Sequence, residues 1–213
     1  MNFDEFLVSL SKIKNIPLPA EASQFKMSPP FRRELVKEYK DQMKDAKRAG
    51  VLALFYPNNL QETHLVLILR KTYKGVHSAQ IGFPGGKYED DDKTLKHTAV
   101  RETWEEIGVL DHKIEVVKKM TEIYIPPSNF YVQPYIGIVT ETPQFVKQDE
   151  EVEDIIEVPL THFLDETIVV TKPVATSYTV KIDVPAFQLN GHIVWGATAM
   201  MLSEIKDVLK AVL

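Results

Sequence analysis

The 213-residue chain contains no cysteine. That absence excludes disulfide cross-links, a thiol nucleophile and cysteine-ligated zinc. No uninterrupted apolar run approaches the ~20 residues that a membrane-spanning helix requires, so no membrane partner is expected. Positive charge is not in excess either: 25 Lys and Arg stand against 30 Asp and Glu, for a net charge of −5. A sequence pI near 5.7 argues against a nucleic-acid coat, which would show a basic patch. Phosphate ligands stay allowed, because a bound divalent cation inverts the local charge. The opening Met-Asn-Phe-Asp-Glu-Phe-Leu-Val has acids where a secretory leader has a positive region. The closing Ala-Val-Leu is not the Ser-Lys-Leu peroxisomal address. A cytoplasmic location is expected.

What is present is ordinary for a globular chain, 44% hydrophobic and 26% charged. A single domain of this length buries roughly 70% of its unfolded surface and needs no staple. Residues 1–50 read as a helical arm with ten basic and seven acidic residues, packed on the domain. It holds an amphipathic stretch at Phe3, Phe6, Leu7 and Leu10, a connector from Pro17 to Pro30, and a charged helical pattern from Phe31 to Arg48. Residues 51–213 read as one α/β domain. Val51–Tyr56 and His64–Leu69 are dense in branched residues and predict two strands around a turn. Gly75–Gly86 has loop composition, and Thr94–Ile107 predicts a helix closed by Gly108 in the αL cap position. Leu95, Ala99, Val100, Thr103 and Ile107 form its apolar stripe. Strands are predicted at Lys113–Val117, Met120–Ile125, Val132–Val139 and Val152–Val158, then a short β pair at Thr179–Val184 and Ala186–Leu189. A helix from Gly196 ends the chain. There is no internal repeat, low-complexity tract or long linker.

The chemistry concentrates in Arg101-Glu102-Thr103-Trp104-Glu105-Glu106-Ile107-Gly108-Val109. On a helix Glu102, Glu105 and Glu106 share a face, and like charges so close are costly unless a cation sits among them. Oxygen ligands without His or Cys select Mg²⁺ or Mn²⁺. Just upstream, the glycines of Gly82-Phe83-Pro84-Gly85-Gly86-Lys87 let backbone approach a ligand and expose carbonyl or amide groups to it. Arg101, four residues before Glu105, can pair with it. As an isolated pattern, Glu-x-x-Glu-Glu is a solvated helix face; the glycine loop beside it points to a metal and a diphosphate. Trp104 and Trp195 read as packing residues.

Gly86 through Val109 resembles the Nudix box, the metal-binding loop and helix of hydrolases acting on nucleoside diphosphates linked to another moiety. Gly86, Arg101, Glu102, Glu105, Glu106, Gly108 and Val109 match its pattern. Asp92 replaces its first Glu with eight rather than seven residues before Arg101, and Thr103 takes an aliphatic place. The extra residue resembles the branch that includes coenzyme A diphosphatases. So does the run from Arg70 through His77 and Gln80 to Phe83-Pro84-Gly85-Gly86, although Ala79 stands where Gly is usual and Lys71-Thr72 replace a Ser-aliphatic pair.

The resemblance implies a Nudix-like α/β/α sandwich around a central mixed sheet. It implies a small nucleotide substrate, with Mg²⁺ or Mn²⁺ held by Gly86, Glu102, Glu105 and Glu106. Arg101, Glu102, Glu105 and Glu151 are the candidate catalytic residues, Glu151 as the base and Glu150 second. Arg70, Lys71, Lys74, His77 and Gly85 are the candidate substrate contacts, with strand-end or solvated side chains as the plain alternative for Arg70, Lys71 and His77. The implied reaction cuts coenzyme A or an acyl derivative into 3′,5′-ADP and 4′-phosphopantetheine. ADP-ribose, a dinucleotide or a nucleoside triphosphate is the rival substrate. A silent ligand-sensing Nudix domain is the rival of another class, against which all three box acids are retained. A homodimer is left open.

Overall fold

The computed structural model describes residues 1–71, 80–175 and 181–213. Helix α1 (Phe3–Ile13) is capped by the Asn2 side chain and buries Phe3, Phe6 and Leu10 of the stripe read from the sequence, together with Ile13, while Leu7 is only half-buried. α2 (Glu21–Gln24) and α3 (Arg32–Glu38) complete the helical arm. α3 is much shorter than the expected helix over 31–48. It buries no side chain, and Lys47 is already committed to a strand, its N–H donating to the Asn129 carbonyl. Strand β1 (Lys47–Pro57) therefore begins inside the expected arm, and a boundary at residue 50 falls within it.

Strands β2 (Thr63–Arg70), β3 (Ile81–Gly82) and β4 (Gly85–Lys87) follow, the last two in a stretch expected to be loop alone. Next come α4 (Leu95–Ile107), β5 (Glu115–Lys119), β6 (Ile123–Ile125), β7 (Phe130–Ile138) and β8 (Val152–Pro159). β6 is shorter than the expected 120–125 because the Met120 backbone is taken up by Pro134 and the Gln133 amide. β1 pairs antiparallel with β2 and β4 and parallel with β7, while β2 also pairs with β3 and β8. The central sheet is thus mixed, as expected.

β1 explains the layers. Leu52, Leu54 and Tyr56 point toward α4 with Ala99 and Ile107. Val51, Ala53 and Phe55 point the other way, onto the core that holds Phe6, Leu10, Met200 and Ile205. A strand buried on both faces reads as a continuous apolar run. α5 (Leu160–Leu164) leads to a second sheet of β9 (Val169–Ala175), β10 (Lys181–Leu189) and β11 (His192–Trp195). The expected β pair around residue 185 is one strand running through Pro185, with its hairpin turn later, at Asn190-Gly191. Thr179 and Val180 of that expectation lie outside the described residues.

The closing helix α6 (Gly196–Lys210) buries Met200, Met201, Ile205 and Val208 on the face opposite α4. It also carries Glu204, fully buried, whose carboxylate accepts from Ala20 N, Gln24 Nε2, Thr121 N and Thr121 Oγ1. These bonds fasten the arm to α6 and to the connection between β5 and β6.

Candidate functional site

α4 carries most of the site. Thr94 caps its start by accepting from His97 N, and Gly108 (φ 75°) ends it in the αL region. Ala99, Thr103 and Ile107 are buried as expected, whereas Leu95 and Val100 are only half-buried. Thr103 fills the aliphatic place of the box because its hydroxyl bonds back to the Ala99 carbonyl at 2.6 Å, leaving its methyl for the core.

The helix docks close against β1, where a side-chain carbon on Gly50 would stand 2.2 Å from the Leu95 carbonyl oxygen. Gly50 pairs with Gly86, which brings the glycine loop over α4. A side-chain carbon on Gly86 would sit 2.3 Å from the Glu102 carboxylate, so only glycine leaves that carboxylate room against the loop backbone. Gly85 has φ 147°, a conformation side chains rarely adopt.

Glu106 is the most enclosed of the three acids of α4, its side chain 2% exposed. Gly85 N donates to its Oε2 at 2.8 Å and Arg70 Nη2 to its Oε1 at 3.0 Å, while Arg70 Nη1 reaches the Gly85 carbonyl at 3.3 Å. Burial pushes the Glu106 carboxyl up to about 7, opposed by the Arg70 cation and the Gly85 N–H and reinforced by Glu102 and Glu151. Burial likewise raises Glu102, with Glu105 and Glu151 adding to the rise and Arg101 opposing it.

Arg101 is fixed from several sides. Its Nε and Nη2 donate to the two oxygens of Asp92, both at 3.0 Å; Nη1 donates to Glu105 at 2.8 Å, and Nη2 lies 3.1 Å from Glu102. Asp92, 1% exposed, also accepts from Glu89 N and Thr98 Oγ1. The Arg101 bonds hold its carboxyl well below the usual carboxylate range. In the sequence Asp92 stands only as a departure from the box; the fold makes it the anchor of Arg101. The Arg70–Glu106 pair likewise joins residues from two separate motifs that sequence spacing does not connect.

An open cleft of about 580 Å³ runs along this face, lined by Glu102, Glu105, Glu106 and Glu151 together with Trp104 and Val146. Glu151 arrives on the loop before β8. Gln148 holds that loop by accepting from Glu150 N and Glu151 N, and its own N–H donates to the Glu106 carbonyl. Glu150 does not line the cleft. Trp104, read from the sequence as a packing residue, is 50% exposed; its position on α4 turns it away from both cores. Lys71 donates its backbone N–H to the Glu151 carbonyl. Lys74 and His77 lie outside the described residues.

Glu102, Glu105 and Glu106 of α4, with the Gly86 carbonyl, are the groups that could hold a hard cation, and Glu151 lines the same cleft. Among the described residues no three acidic or imidazole side chains already stand in ligand positions. Arg70 and Arg101 engage the box carboxylates instead.

The NUDIX domain family matches residues 46–175, more than half of the chain. The chain belongs to the Nudix family. It is 29% identical over 155 residues to the peroxisomal coenzyme A diphosphatase ndx-8 of Caenorhabditis elegans, covering 72% of this chain and 64% of that protein. It is 35% identical over 99 residues to the uncharacterized Nudix hydrolase NudL of Yersinia pestis, covering 46% and 49%. The chain thus spans less than two thirds of the length of either relative. The Nudix hydrolase RenU of M. smegmatis shares the fold at TM-score 0.53 and 14% identity, over 79% of this chain and 88% of that one. A MutT/nudix family protein of Enterococcus faecalis does so at TM-score 0.52 and 15% identity, over 84% and 68%. Nudix hydrolases generally need divalent metal ions. No helix among the described residues is long and apolar enough to cross a membrane.

Proposed function

We propose that this Nudix chain is a Mg²⁺- or Mn²⁺-dependent diphosphatase that cuts coenzyme A or acyl-coenzyme A into 3′,5′-ADP and the (acyl-)4′-phosphopantetheine. The observation that carries the hydrolytic reading is the meeting of Glu102, Glu106 and Glu151, from two distant segments, at one cleft beside Gly85 and Gly86. The coenzyme A preference rests on the resemblance to the diphosphatase branch and on the similarity to the nematode enzyme.

The donor set suits a hard cation, because burial raises both Glu102 and Glu106, Glu151 adds to the rise of each, and a cation beside them reverses that cost. Such an ion, when bound, neutralises charge on the diphosphate and lowers the pKa of water. Glu102, Glu105, Glu106 and the Gly86 carbonyl would hold it. Arg101, locked by Asp92, orients Glu102 and Glu105. Glu151 takes the proton from the attacking water, and Arg70 with Lys71, Lys74, His77 and the Gly85 backbone grips the phosphates. We place this activity in the cytoplasm.

The test is a turnover screen of coenzyme A, ADP-ribose, NADH, diadenosine polyphosphates and nucleoside triphosphates, each with Mg²⁺ and with Mn²⁺. Metal-dependent release of 3′,5′-ADP from coenzyme A at the highest kcat/KM is expected. Faster cleavage of ADP-ribose would transfer the assignment to the rival substrate class.

A further inference from the structure

Glu106 poses a problem that Arg70 answers. A carboxylate this enclosed needs a counter-ion, and Arg70 Nη2 supplies it at 3.0 Å. The two arginines of the site are held differently. Arg101 makes a two-pronged bond to buried Asp92 and a further bond to Glu105. Arg70, among the described residues, has one bond to a carboxylate and one longer bond, 3.3 Å, to the neutral Gly85 carbonyl. Its side chain is 25% exposed, so the guanidinium stands between a buried anion and the solvent.

The backbone there is fixed. Arg70 N donates to the Gln80 carbonyl, Lys71 N to the Glu151 carbonyl, and Arg70 pairs with Val152 across a register shift. The side chain is the part free to change partner.

We propose that Arg70 is a partner-switching cation, neutralising Glu106 in the metal-free protein and passing to the substrate diphosphate when a divalent ion takes that carboxylate. The inference rests on the diphosphatase reading. A divalent ion on Glu106 would stand within a few ångströms of the guanidinium, and like charges at that distance repel strongly. The fork it releases matches phosphate oxygens in a two-pronged geometry. Metal loading then creates the substrate grip, so a diphosphate meets a free Arg70 only in the loaded protein.

The experiment is a Mn²⁺ titration of the full chain without substrate, followed by electron paramagnetic resonance of the free ion. It is run on wild type, Arg70→Gln, Arg70→Lys and Glu106→Gln, then repeated with imidodiphosphate, a non-hydrolysable diphosphate. Arg70→Gln should bind Mn²⁺ about threefold or more tighter, since a competing cation is gone. It should bind imidodiphosphate about tenfold or more weaker in the presence of Mn²⁺. Arg70→Lys, which keeps the charge, should stay near wild type for Mn²⁺ alone. Unchanged or weaker Mn²⁺ binding in Arg70→Gln overturns the switch while leaving the metal site standing. Mn²⁺ binding that Glu106→Gln leaves intact removes the metal-site reading itself, and the switch with it. Should Arg70→Gln fail to fold, the wild-type guanidinium ¹⁵N resonance, assigned by its loss in Arg70→Lys, decides the matter. It should shift on adding Mg²⁺ and again on adding imidodiphosphate, and indifference to Mg²⁺ overturns the proposal.

Discussion

Asp92 and Arg101 face each other through two parallel 3.0 Å hydrogen bonds, one to each carboxylate oxygen, and both side chains are largely withdrawn from water. The pair ties the loop after β4 to the middle of α4 and so sets where Glu102 and Glu105 stand. Asp92→Asn should cost about 1–3 kcal/mol of stability and lower kcat. The carboxyl of Asp92 is depressed in the folded state, so its contribution is complete above the ordinary carboxylate pKa of about 4 and is lost as pH falls below it. Urea denaturation at pH 3 and pH 6 checks this: the gap between wild type and Asp92→Asn should narrow at pH 3.

Glu106 behaves in the opposite sense. Its folded-state pKa, about 7, lies above the unfolded value, so its stabilising effect is complete below about pH 4.5 and is lost as pH rises through 7. In the metal-free protein this group alone should remove about 3 kcal/mol between pH 4 and pH 8. Glu106→Gln should flatten that slope and lower turnover by orders of magnitude. Thermal unfolding across pH with chelator, paired with turnover at saturating Mg²⁺, measures both.

Glu151→Gln should depress kcat about a hundredfold or more with little change in KM, because the side chain lines the cleft beside Glu102 and Glu106. Glu150→Gln should stay near wild type. Steady-state kinetics on coenzyme A separates them, and equal turnover in both variants would move the base elsewhere.

Gly86→Ala would drive a methyl into the Glu102 carboxylate, the free end of a flexible side chain. Unfolding should therefore change little, while Mn²⁺ affinity falls about tenfold or more as Glu102 is displaced. Calorimetric Mn²⁺ titration beside a melting curve tests the two effects separately.

Coenzyme A should be cleaved at least about tenfold more efficiently than 3′-dephospho-coenzyme A, the preference that one charge-assisted phosphate contact supplies. Alanine at one or more of Arg70, Lys71, Lys74 and His77 should reduce it. The ratio of kcat/KM values for the two compounds is the measurement.

Local chemistry explains what could be read in advance. Glu102, Glu105 and Glu106 lie within two turns of one helix, Thr94 and Gly108 bound that helix, and the branched runs of β1 and β2 announce buried strands. These features depend on neighbours a few residues away, which is why spacing alone locates α4 and its acids. The same logic failed at residues 31–48, where a helical pattern gave way because β7, far along the chain, claims Lys47 and Arg48 as strand.

The sequence by itself determined the acids of α4, the glycine loop before them and the two strands beneath. Only the tertiary structure decided their partners: Arg70 on Glu106, 36 residues apart, Asp92 on Arg101, Glu151 in the cleft, and Glu204 beneath the arm at Gln24, 180 residues away. The physical reason is that a buried charge takes whichever counter-ion or donor the packed chain delivers within about 3 Å, and sequence spacing carries no record of that distance.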